Sequence, residues 1–192
     1  MSSPPKTLLT PQEYLEIERK AEFKSEYFGG EMFAMAGASE VHSLICTNAI
    51  FLLMAQLRNR DCRVYGSDMR VKVSASGLYT YPDVSVVCGQ RQMESSELDV
   101  LLNPIVIIEV LSPSTEAYDR GRKFEHYRSI TTLQQYVLIS ADRIAIDVFT
   151  RDSAGRWLLS SSTIENPVLR LESIDCSLSL ADVYSKTDLL PE

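Results

Sequence analysis

Two carboxylates stand where a folded chain can least easily keep them charged. Glu109 follows the apolar run Ile105-Val106-Ile107-Ile108 and precedes Val110-Leu111-Ser112. A strand apolar on both faces is normally buried, and a buried charge needs a partner. Asp83 has a similar setting, Pro82-Asp83-Val84-Ser85-Val86-Val87. The gap of 26 residues (109 − 83) suits a loop between two strands. Neighbouring strands lie about 4.8 Å apart, so the two acids can aim at one point. Like charges so placed repel unless one takes up a proton or a divalent cation lies between them. The pair reads as half of a metal site.

A cation follows them. Asp119, Lys123 and Tyr127 recur at i, i+4 and i+8, on one face of a predicted helix, with Arg120, Arg122 and Arg128 nearby. Ser112–Thr115 is too short to carry that helix far from the strand end, so Lys123 can reach back toward Glu109. Each residue alone has a plainer reading. Asp83 after proline suits a turn. Lys123 suits an exposed partner of Asp119, and Tyr127 suits the core. Glu26 and Glu31 suit solvated charges beside a glycine turn. His42, third after a Ser39 cap, is either bonded to backbone in the first helical turn or a site-edge residue touching substrate.

The elements that must position these groups are legible as patterns. Thr10-Pro11-Gln12-Glu13 is a capping box with proline at the first helical position and predicts a helix from about Pro11 to Ala21. Ser25–Phe28 and Glu31–Met35 flank Gly29-Gly30 as a tight hairpin. Apolar residues at helical spacing predict a longer helix from Ser39 to about Arg60. Met69–Val73, Tyr81–Cys88 and Ile105–Leu111 read as strands, with a polar loop from Gly89 to Asp99. A helix is expected from about Glu116 to Ser129. Gln135–Ser140 and Arg143–Thr150 read as a hairpin, and Arg156–Thr163 as a further strand. The order predicts a mixed α/β fold, a central sheet flanked by helices. The unit from Ile105 to Ser140 predicts a right-handed parallel crossover. One domain over residues 1–192 is expected, with a core of about 11–163 and a peripheral segment at 164–192.

Composition narrows the class. A 192-residue chain, 45% hydrophobic and 23% charged, is ordinary for a soluble globular protein. Its net charge of −7 argues against a general nucleic-acid coat, though not against a local basic surface. The segment Asp119–Arg128 is such a stretch, with Arg120, Arg122, Lys123 and Arg128 against Asp119 and Glu125. Of the cysteines Cys46, Cys62, Cys88 and Cys176, none forms a C-x-x-C pair. The first three are expected reduced in a cytoplasmic protein, and no zinc site is expected. Met1–Gln12 carries no targeting signal. The apolar run Ala49–Ala55 falls short of a membrane span, so no membrane partner is expected.

Two strand carboxylates, a lysine and a following tyrosine resemble the PD-(D/E)xK nuclease superfamily. More narrowly, several segments look like a family of bacterial restriction-endonuclease-like proteins of largely uncharacterised function. They are Tyr81-Pro82-Asp83-Val84, Ile108 to Thr115, Asp119, Lys123 and Tyr127. Glu26-Tyr27-Phe28-Gly29-Gly30-Glu31, His42 and Gln135-Tyr136-Val137-Leu138 match as well, so the resemblance spans about Pro11 to Phe149. In the simplest superfamily motif the lysine sits two residues after the second acid. Here that position is Leu111, and the similarity implies that the lysine has moved to the helix as Lys123.

The resemblance implies a restriction-endonuclease-like core and an Mg²⁺- or Mn²⁺-dependent endonuclease acting on DNA. It makes Asp83, Glu109 and Lys123 catalytic. Asp83, Glu109 and the Val110 backbone carbonyl are the implied metal ligands, with Glu26 as a further carboxylate. Substrate contacts fall to His42, Arg120 and Tyr127. It also implies a homodimer, since double-strand cutters often pair two active sites. Two alternatives stay open: a non-catalytic module that keeps the fold for binding nucleic acid or protein, and a hydrolase of another phosphoester.

Overall fold

A computed structural model describes residues 8–189 apart from 96 and 98. Helix α1 (Pro11–Glu18) begins at the expected capping box. The Glu13 N–H donates to Thr10 Oγ1 (3.2 Å) and the Thr10 N–H to Glu13 Oε2 (2.8 Å). Strands β1 (Ser25–Phe28) and β2 (Glu31–Ala34) pair antiparallel around Gly29 and Gly30. Both glycines have positive φ, 59° and 89°, which a two-residue hairpin needs and glycine adopts freely. A Cβ on Gly30 would lie 2.7 Å from that of Leu8, whose chain crosses the hairpin.

Helix α2 (Glu40–Leu57) is capped by the Ser39 hydroxyl and buries Ile45, Ala49, Leu53 and Leu57, one residue per turn. By length and composition it is apolar enough to cross a membrane. Its buried face belongs to the protein's own core. Five strands follow, β3 (Cys62–Gly66), β4 (Arg70–Val73), β5 (Leu78–Thr80), β6 (Val84–Cys88) and β7 (Val100–Leu101). The fully buried β8 (Val106–Leu111) comes next. The predicted helix after β8 forms in three pieces: α3 (Glu116–Tyr118), a π-helical turn (Asp119–Lys123) and α4 (Phe124–Tyr127). Strands β9 (Gln135–Ser140), β10 (Ile146–Arg151), β11 (Trp157–Ser162), β12 (Val168–Leu171) and β13 (Cys176–Ser179), then helix α5 (Leu180–Val183), complete the described chain.

The strands form a six-stranded sheet ordered β11-β10-β9-β8-β6-β3, a five-stranded sheet ordered β2-β1-β5-β4-β7, and the pair β12-β13. In the larger sheet β8 and β9 are parallel and the other pairs antiparallel, which gives the expected mixed sheet and parallel crossover. Residues of β8 alternate between two apolar layers. Val106, Ile108 and Val110 join α2, while Ile107 and Leu111 join Tyr127 and Tyr136. Glu109 shares the parity of the second layer.

Two expectations fail here. The segment after residue 163 is not peripheral: Leu169, Leu171, Ile174, Leu178, Leu180, Val183 and Tyr184 are buried in the layer that holds α2. Asn48 ties it down further, donating to the carbonyls of Val183 (3.0 Å) and Ser185 (2.9 Å). Nor are Cys62 and Cys88 free thiols. They face each other across β3 and β6 and form a disulfide. Only Cys46 and Cys176 are free, so the cysteines give no ground for a reducing compartment.

Candidate active site

The antiparallel register of β6 and β8 pairs Val84 with Ile108. One step further sets Asp83 opposite Glu109, and such cross-strand neighbours point to the same face. Asp83 itself lies just before β6. There its Oδ2 accepts the Val110 N–H (2.8 Å) and faces His42 Nε2 at 3.3 Å. Glu109 is 3% exposed. Its Oε1 accepts the Tyr127 hydroxyl (2.8 Å) and lies 3.0 Å from Lys123 Nζ.

Lys123, 5% exposed, does reach back to the strand, and it meets three acids there. Its ammonium is 3.3 Å from Glu26 Oε1 and 3.5 Å from Asp119 Oδ1 as well as 3.0 Å from Glu109. The π-helical turn delivers it; such turns widen a helix by one residue and recur at functional sites. From β9 the Tyr136 hydroxyl donates to the Asp119 carbonyl (3.0 Å) and ties this turn to the sheet. From β5 the Thr80 hydroxyl donates to Glu26 Oε1 and lies 3.5 Å from the Tyr127 hydroxyl. Glu26 comes from the β1 hairpin, so β1, β8 and the π-helical turn meet at one ammonium group, with β5 and β9 bracing them.

Burial sets the protonation of this cluster. Burial pushes the Glu109 carboxyl up to about 8 against the opposing pull of Lys123, and Asp83 and Asp119 reinforce the rise. Asp119 is pushed up for the same reason. Burial alone would lower the Lys123 ammonium, but Glu109, Glu26 and Asp119 outweigh it and hold the lysine charged. His42 is raised chiefly by its hydrogen bond to Asp83, with help from the Val110 backbone.

Most of the predicted set is thus brought together: Glu26, His42, Asp83, Glu109, the Val110 backbone, Lys123 and Tyr127. Two further residues stand differently. Tyr127 is fully buried, and its hydroxyl is spent on Glu109. Arg120 turns away to Glu116 and Asp147, both at 2.7 Å, and is not part of the cluster. Sequence reasoning missed Thr80, although it directly precedes the Tyr81-Pro82-Asp83 motif. It also missed Cys46, one turn after His42, with its Sγ 3.5 Å from His42 Nδ1. Ligand atoms of His42, Cys46 and Asp83 lie within 4.8 Å of one another.

A mixed sheet that sets two acids side by side on adjacent strands, beside a lysine from the next helix, defines a restriction-endonuclease-like, nuclease-type protein. Residues 11–181 match the Uma2 family, described as "Putative restriction endonuclease", and the chain belongs to that family. It is 38% identical over 182 residues to "Uncharacterized protein slr1290" of Synechocystis sp., covering 95% of this chain and 94% of that one. A second Synechocystis protein, "Uncharacterized protein sll1609", is 35% identical over 159 residues, covering 83% and 90%. The fold is shared with the crystal structure of "a putative nuclease belonging to DUF820 from Anabaena variabilis ATCC 29413". That likeness has a TM-score of 0.74 at 21% identity and covers 91% of this chain and 96% of the other.

Proposed function

We propose that the protein is a divalent-metal-dependent endonuclease that hydrolyses DNA phosphodiester bonds. The observation that carries this reading is a charge imbalance. Four carboxylates, from Glu26, Asp83, Glu109 and Asp119, gather around one lysine and one histidine at a largely buried site. Such a surplus is costly to bury, and either a proton on Glu109, whose carboxyl burial raises to about 8, or a further cation relieves it.

The donor set fits a hard divalent ion, which prefers oxygen ligands. Asp83 and Glu109 would hold it with the Val110 carbonyl, and Glu26 is a further carboxylate within reach of Lys123. Mg²⁺ or Mn²⁺ supplies an activated water and a polarised phosphodiester when bound. Lys123 stabilises negative charge on the phosphate oxygens or positions the attacking water. Tyr127 fixes Glu109 Oε1, Val110 N–H fixes Asp83 Oδ2, and His42, its side chain 16% exposed, stands at the edge of the site where a DNA strand would approach.

A second reading draws on the depth of Lys123. As a lasting counter-ion for three acids, it suits a non-catalytic module that keeps the nuclease fold. Thermal melts and plasmid cleavage separate the two. The nuclease reading expects Mn²⁺ to raise the melting temperature, by mass action worth about 2.7 kcal/mol at 100 times its Kd. It also expects plasmid DNA to be cut. Both effects should vanish in Asp83→Ala and Glu109→Ala. Wild-type protein that shows neither effect with Mg²⁺ or Mn²⁺ overturns the nuclease reading.

A further inference from the structure

The outward face of α2 carries a pattern that packing among the described residues leaves unused. Glu40, Leu44, Thr47, Phe51, Met54 and Arg58 follow one another at spacings of 4, 3, 4, 3 and 4 residues. This is the repeat of a coiled-coil seam, in which alternating steps of three and four keep one stripe facing a partner helix. Phe51 is 68% exposed and Met54 57%. Glu40, Thr47 and Arg58 are exposed and Leu44 is half-buried. The opposite face, through Ile45, Ala49, Leu53 and Leu57, is occupied by the core. Large apolar side chains left in a row on one helix face mark an interaction surface.

The charges identify the occupant. Between Glu40 and the C-cap Arg58, α2 contains no other Asp, Glu, Lys or Arg. The acid and the base therefore stand at opposite ends of an otherwise uncharged stripe. Reversed on itself, the stripe sets Glu40 against Arg58, Leu44 against Met54 and Thr47 against Phe51, so acid meets base and, at Leu44 and Met54, apolar meets apolar. We propose that α2 is a homodimer interface, with two copies packed antiparallel about a two-fold axis between positions 47 and 51. Phe51 of one copy then lies on Thr47 of the other, Met54 on Leu44, and Arg58 on Glu40, at both ends at once. An isologous contact requires this reciprocity. Antiparallel packing also sets opposite helix dipoles side by side.

From Glu40 to Arg58 the seam covers 18 steps (58 − 40), about 27 Å at 1.5 Å per residue. One helix pair of that length falls at the low end of specific interfaces, below about 1,200 Å², and suits a reversible dimer of micromolar strength. His42 lies on the same helix and contacts Asp83, so the two acid clusters sit toward opposite ends of one seam. The assembly does not depend on the proposed chemistry.

Sedimentation equilibrium over about 1–100 μM tests the surface directly, since specific weak dimers dissociate in that range. Wild-type protein should move from 21.6 kDa to twice that mass. Phe51→Glu should raise the dimer dissociation constant at least about 100-fold, a factor of ten for each of two symmetry-related rings. Its melt should stay near wild type, because Phe51 is outside the core. Glu40→Arg and Arg58→Glu should each weaken the dimer, and the double reversal should restore it. A monomer throughout, or a dimer indifferent to Phe51→Glu, overturns the proposal. Single reversals that weaken without rescue overturn the antiparallel pairing. A monomer that pellets with anionic phospholipid vesicles, and loses this in Phe51→Glu, assigns the stripe to membrane instead.

Discussion

Among the described residues two side-chain cations are buried, and their surroundings differ in sign. Arg70 and Lys123 are each 5% exposed. Arg70 donates through Nε (3.0 Å) and Nη2 (2.7 Å) to the Tyr81 hydroxyl, and lies 3.3 Å from Asp99. Its guanidinium covers the rings of Tyr14 and Tyr81, with centroids at 5.5 and 5.1 Å. The Tyr81 hydroxyl donates onward to Glu18 (2.8 Å), and Arg19 pairs with Asp99 (2.9 Å). Two guanidinium groups thus meet two buried or half-buried acids, and the network clamps α1 to β4. Lys123 instead faces three acids, with Asp83 close behind. A buried cation is therefore no mark of a site by itself; the mark is the negative charge left over once it has been counted.

The sharpest test of this contrast replaces each cation. Lys123→Met and Arg70→Met should each cost about 3–5 kcal/mol without metal, since each leaves buried charge unpaired. Mn²⁺ should recover much of the loss in Lys123→Met, with a larger melt shift than wild type and no DNA cleavage. It should recover none of the loss in Arg70→Met. Equal responses to Mn²⁺ would break the comparison. Removing single hydroxyls sharpens it. Tyr127→Phe takes away the group that orients Glu109 and should lower cleavage about tenfold, the usual cost of losing a ligand's support. Tyr81→Phe should lower the melting temperature and leave cleavage per folded molecule unchanged.

The smallest effect should come from Asp99→Asn. Arg19, and then Arg70, hold the Asp99 carboxyl below its usual range. Ionised Asp99 thus stabilises the fold above the unfolded value of 3.8, and that contribution is lost as pH falls through the lower folded value. The variant should be about 1 kcal/mol less stable at pH 7, a part-exposed pair being worth little more. Urea melts of the two proteins should converge in acid. A gap that persists there would assign Asp99 a role other than its charge.

The acid pair was legible because its flanks are so apolar: Val84 to Val87 and Ile105 to Ile108 read as neighbouring strands before any pairing is known. The β1–β2 hairpin was legible from Gly29-Gly30. Other parts leave little trace. Strands β5 and β7 have three and two residues, too few to show a period. Nothing in Asp119-Arg120-Gly121-Arg122-Lys123 marks a π-helical turn, so Arg120 was placed with Lys123 although the widened turn sends it toward Asp147. Without β3 as a strand, Cys62 had no visible neighbour. The C-terminal segment read as surface because Leu169 and Leu171 alternate with exposed Val168 and Arg170, whereas the layer over α2 uses only the inward half.

The ion pair between Lys123 and Glu26 also has a schedule. Glu26 is synthesised 97 residues (123 − 26) before its lysine. At about 5–20 residues per second, that is a wait of roughly 5–20 s on the ribosome. Asp83 and Glu109 are both made within it, on two of the most apolar strands, before Lys123 is added. Their mutual repulsion opposes early pairing of β6 with β8, while the backbone edge of β8 still lacks β9. The acidity that gathers around Lys123 in the finished fold thus also acts on the nascent chain. Lys123 follows Glu109 by 14 residues (123 − 109), so that opposition acts over about 1–3 s of synthesis.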